Sequence, residues 1–117
     1  MPPPRDQPFV MDVPVPDKFK LDREKSDHSY REGRRKVKHF YLGNEEPLPV
    51  RNFYVQHMPG QGWKLVNEVL KNGVYTLTFR KAEERCEIRI EKIPAGLFSP
   101  STRIRAMIGA PGLESGE

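Results

Sequence analysis

The sequence predicts an α+β fold: an antiparallel sheet of about five strands in the order β-β-α-β-β-β, with one helix packed across one face. Three observations carry this. Val50, Phe53, Tyr54, His57 and Met58 recur at helical spacing and stop at Pro59-Gly60. Asn72-Gly73 is a strong hairpin signal. The residues around it alternate so that a tight turn there gathers Val66, Leu70, Tyr75, Leu77 and Phe79 on one face.

Taken in chain order, residues 1–16 hold six prolines, which lack ladder donors and favour extended backbone, and they read as a tether or arm. The single α+β domain is expected over residues 17–93. Its first two strands are placed at about Phe19–Lys25 and Arg34–Leu42, with Asp27, Ser29 and Gly33 forming a polar connection. Pro47 and Pro49 suit the first turn of the helix.

After it, the type I′ turn pairs Leu70 with Tyr75, Glu68 with Leu77 and Val66 with Phe79. This sets Glu68 among apolar neighbours. A second tight turn at Glu83-Glu84 would pair Phe79 with Ile88, Leu77 with Ile90 and Arg80 with Glu87. The opposite face then carries Leu65, Asn67, Val69, Thr76, Thr78, Arg80, Glu87 and Arg89, too polar for a second layer but suited to a partner. Residues 94–117 are rich in Gly, Pro and Ser and read as a flexible or loosely docked tail, with at most a helical turn near 102–108.

Composition narrows the function classes. Of 117 residues, 20 are Lys or Arg and 16 Asp or Glu, a net charge of +4. Residues 1–46 hold ten basic and nine acidic, 47–93 eight and five, 94–117 two and two, so neither terminus is a basic arm. The single cysteine, Cys86, cannot form an internal disulfide or a CxxC site, and its phase with Ile88 and Ile90 makes it a small buried side chain. His28, His39 and His57 show no metal-ligand spacing, the glycines form no phosphate-binding loop, and the carboxylate pairs Glu45-Glu46 and Glu83-Glu84 fall in connections. No catalytic, cofactor or metal residues are therefore assigned, and a non-enzymatic protein is expected. No 18-residue apolar run and no charged start leading into an apolar stretch are present, so neither a membrane span nor an intact secretion signal is expected.

The candidate anion- or partner-binding residues are Arg31, Arg34, Arg35, Lys36 and Lys38, a basic cluster followed by Phe40 and Tyr41. Such a cluster can hold phosphates, with an aromatic ring near enough to stack a base. It equally protects a strand edge from unwanted pairing. Trp63, directly after the helix-ending turn, is placed at the core or its edge.

Val13-Pro14-Val15-Pro16-Asp17-Lys18-Phe19, then Phe53-Tyr54, Met58-Pro59 and Gly62-Trp63-Lys64-Leu65, then Thr76-Leu77-Thr78-Phe79-Arg80-Lys81 and Cys86-Glu87-Ile88 make a recognisable pattern. It resembles small uncharacterised bacterial domains, planctomycete-like ones included, in exported proteins and lipoproteins, where P-x-P-x-x-F leads to F-Y-x-x-x-M-P-x-x-G-W. The resemblance spans roughly residues 13–92 and implies an envelope-side domain behind a Pro-rich tether. It carries no catalytic residues.

Two readings follow. The first is a non-enzymatic interaction module that binds a protein partner or itself through the sheet face and the Pro-rich arm. The alternative is a small basic nucleic-acid or ribosome-associated binding protein. The location is the envelope side if the N-terminus is processed or trimmed, and cytoplasmic if Met1 is the true start.

Overall fold

The computed structural model describes residues 4, 10, 12–94 and 100–110. In chain order it contains strands β1 (Lys20–Leu21), β2 (Asp27–Arg31) and β3 (Arg34–Gly43) and helix α1 (Pro47–His57). A 3₁₀ turn (Pro59–Gln61) then leads into β4 (Lys64–Lys71), β5 (Val74–Lys81), β6 (Glu84–Lys92) and β7 (Thr102–Gly109). All pairings are antiparallel in the order β1-β3-β7-β6-β5-β4, with β2 beside the first half of β3 on the edge it shares with β1. The class is α+β, but the five-strand expectation is corrected: the sheet has seven strands.

The two extra strands have separate causes. The first comes from the expected polar connection, while the expected Phe19–Lys25 strand shrinks to Lys20–Leu21: the left-handed Glu32 (φ 54°) and Gly33 (φ 77°) make a tight turn that pairs Arg31 with Arg34 and draws Asp27–Arg31 into the ladder. That strand is exposed throughout, so it carries no apolar alternation to find. The second extra strand, β7, is central: Ile104, Ala106 and Ile108 point into the core between β3 and β6. Gly, Pro and Ser around it disguise a strand as a tail, and residues 95–99 and 111–117 of that expected tail lie outside the described residues.

The hairpins keep the expected face with two local changes. Asn72 (φ 53°) and Gly73 (φ 79°) form the predicted turn, and Leu70↔Tyr75 and Glu68↔Leu77 pair as expected. A bulge between Leu65 and Asn67 replaces Val66 by Leu65 opposite Phe79, so Leu65 turns inward and Val66 is exposed. The next turn is Ala82-Glu83, with Lys81↔Glu84 closing it, so Phe79 meets Cys86 and Leu77 meets Ile88. The expected register is thereby slid by two residues. Because the pleat repeats every two residues, the slide preserves which face is apolar.

Helix α1 carries the chain from β3 to β4, at the far edge of the sheet, and buries Val50, Phe53 and Tyr54 against it. Glu68, the exception on the apolar face, accepts two hydrogen bonds from Arg51 of α1 at 2.7 Å each, tying the helix to the edge strand. Trp63 is buried, and Val13, Val15 and Phe19 join the same core from before residue 20. The core therefore draws on residues to either side of 17–93, the span read as the domain.

Candidate functional site: the cationic outer face of the sheet

Alternation along each strand sends one set of side chains into the core and the other to the opposite face. Directly paired residues share a face, so the ladder registers assign the outer one. On β3 it holds Arg34, Lys36 and Lys38, and on β7 Arg103 and Arg105. Strand β6 adds Arg85, Glu87, Arg89 and Glu91, β5 adds Arg80, and β4 adds Lys64 and Lys71. On these five strands the outer face has ten cationic and two acidic side chains, a net +8, whereas the whole chain is +4. Everything else must sum to −4. No described helix or strand packs across this face, since α1 lies against the inward side.

The two carboxylates are already engaged. Glu87 accepts from Arg105 at 2.6 Å, and Glu91 accepts from Arg103 at 2.6 Å with Arg89 at 3.5 Å. These pairs neutralise charge between β6 and β7, and at the other edge Asp27 of β2 stands opposite Lys38. Toward the other end, Lys64 stands opposite Arg80 and Arg80 opposite Arg85, a row of three cations across three adjacent strands. Like charges placed directly opposite repel. Among the described residues, Arg34, Lys36, Lys64 and Arg80 have no carboxylate at ion-pair distance.

The five residues singled out from sequence separate. Arg34, Lys36 and Lys38 lie on the outer face, and Arg31 stands beside them in β2 opposite Arg34. Arg35 turns the other way. It donates two hydrogen bonds to Glu84 (2.6 and 2.8 Å) and two to Asp12 (2.9 and 2.6 Å). Sequence reasoning missed the contribution of β7 altogether, although Arg103-Ile104-Arg105 alternates as a strand should.

The cluster around Arg35 is a fastening. Lys81 also donates to Asp12, and its ammonium sits 4.6 Å from the centre of the Trp63 ring. Trp63 Nε1 donates to the Asp12 carbonyl at 2.9 Å, so one residue anchors the N-terminal segment through both backbone and side chain. Partial burial acts to raise the Asp12 carboxyl, but hydrogen bonds and charge from Arg35 and Lys81 prevail and hold it at about 2. A cavity of about 340 Å³ opens beside it, lined by Gly33, Arg34, Arg35, Lys81–Glu84 and Ala110.

Cys86 and His39 are built into the core. Burial pushes the Cys86 thiol up, away from the thiolate that a nucleophile requires. His39 is buried, its Nδ1 3.0 Å from the Tyr41 hydroxyl, and burial followed by the charge of His28 lowers its pKa. Among the described residues no group of three His, Cys, Asp or Glu is disposed to hold a metal ion.

Compared with known families, residues 24–103 match a family model described as START domain-like, a span running from before β2 to the start of β7. No curated protein and no solved structure matches the chain at a significant level.

Proposed function

We propose that this chain, which belongs to the START domain-like family, is a non-enzymatic interaction module that docks an anionic partner onto the outer face of its sheet. The observation that carries the reading is the segregation of charge: net +8 over β3–β7 on one face, across which no described helix or strand packs, in a chain whose total is +4. Such a surface raises the local concentration of polyanions and accelerates their encounter. The same repulsion opposes self-association through this face, so the partner is a different molecule. The nucleic-acid alternative is the special case of a phosphodiester partner. Its aromatic platform would be Phe40, and the Arg103 guanidinium already lies 5.9 Å from that ring's centre. An envelope-side location, implied by the resemblance to exported domains, is part of the proposal and is tested by fractionating the source cells.

Retention on a sulfated-polysaccharide resin tests the reading. The full chain should elute only at raised salt, and Arg34→Glu with Lys36→Glu should elute markedly earlier while keeping its circular dichroism. Equal retention of the variant and the parent would remove the outer face from the interaction.

A further inference from the structure

We propose that the anionic partner is the surface of an anionic lipid bilayer, an inference that rests on the reading of the outer face as a polyanion-binding surface. The layout of the cations selects a two-dimensional partner. Arg34 and Lys36 lie on β3 and Lys64 and Lys71 on β4, with β7, β6 and β5 between them. Four strand spacings separate the two sets, roughly 19 Å. A nucleic-acid strand follows a single basic track lined with stacking rings. Here the charge is spread in both directions, and Phe40 is the one aromatic ring on this side of β3–β7 among the described residues.

The apolar part of the face points the same way. Val69 is 43 % exposed on edge strand β4, on the outer side and two residues from Lys71. An apolar tip beside a lysine whose stem can lie along hydrocarbon while its ammonium reaches phosphate suits the headgroup boundary of a membrane. No described helix is long and apolar enough to cross a membrane, so the contact proposed is with the surface. The Lys64–Arg80 pair, repelling in the free protein, gains counter-charge on contact with anionic headgroups.

The test is co-sedimentation of the full chain with phosphatidylcholine vesicles, with and without 30 % phosphatidylglycerol (about a third anionic lipid). Pelleting with the anionic vesicles alone is expected. Partitioning should fall at least about tenfold in Lys64→Glu with Arg80→Glu, a variant checked for fold by circular dichroism. Val69→Asn should lower it several-fold while leaving resin retention unchanged. Retention on the resin without vesicle binding overturns the lipid proposal and leaves the broader reading standing. Tighter binding to a single-stranded oligonucleotide than to vesicles overturns it in favour of nucleic acid. Loss of both resin and vesicle binding overturns both.

Discussion

Arg34 and Arg35 are adjacent in sequence and opposite in role, because the pleat turns one outward and the other toward Asp12 and Glu84. The basic run was legible as charge. Its division was not, since which arginine faces inward depends on the register of a turn and on an aspartate 23 positions away. Asp12 gives that division a measurable consequence. Its carboxyl lies at about 2 in the folded protein against an ordinary 3.8, so the folded state binds the proton less well than the unfolded chain. The stabilisation is complete above about pH 4, is lost as pH falls through 2, and amounts to about 2 kcal/mol. Urea unfolding of the parent and Asp12→Asn should therefore differ by about that amount at pH 7, with the gap closing by about pH 2. A gap constant with pH would show that the carboxylate is not its source; the Trp63 bond to the Asp12 carbonyl survives the substitution and should cancel in the comparison.

At the level of elements, strands and helices with their own periodicity were legible and those defined by contact were not. Helix α1 and the Asn72-Gly73 hairpin lie where their spacing and turn residues put them. The Pro-rich start predicts a tether because proline excludes regular structure, yet alternation in Val13-Pro14-Val15-Pro16 lets both valines reach the core. Phe19 completes this segment by packing over Gly43 at the end of β3. A Cβ added at Gly43 would stand 2.7 Å from the Phe19 ring, so the strand needs glycine there for space rather than for its backbone angle. Gly43→Ala should cost about 1–3 kcal/mol. That lowers the melting temperature by several degrees at least. In a Phe19→Ala background, already destabilised, the added methyl meets no ring and the further cost should nearly vanish. Additive losses in the double variant would mean that the ring is not what excludes a side chain.

For the whole molecule, the decisive strand is the one farthest along the chain. Strand β7 pairs with β3 on one side and β6 on the other, joining the β1-β2-β3 group to the β4-β5-β6 group. The pairings to β3 span some sixty to seventy residues of sequence, for example Val37 with Ile108, and no local pattern announces such a contact. The outer face depends on the same strand, since Arg103 and Arg105 stand in its middle and engage the two outer carboxylates of β6. A chain ending at Ile93 tests this arrangement. It would lose the buried Thr102, Ile104, Ala106 and Ile108 and leave β3 and β6 with unpaired edges over Tyr41, Ile88 and Ile90. Burial of one large aliphatic side chain contributes about 1.5–3 kcal/mol, and a domain's whole stability is about 5–15 kcal/mol. The shortened chain should therefore lack a cooperative thermal transition and the near-ultraviolet dichroism of Trp63. A chain ending at Ala110, which keeps all seven strands, should retain both. Cooperative unfolding of the shorter chain with an intact Trp63 signal would show that β1–β6 form a self-sufficient sheet, and the outer face would have to be redrawn without β7.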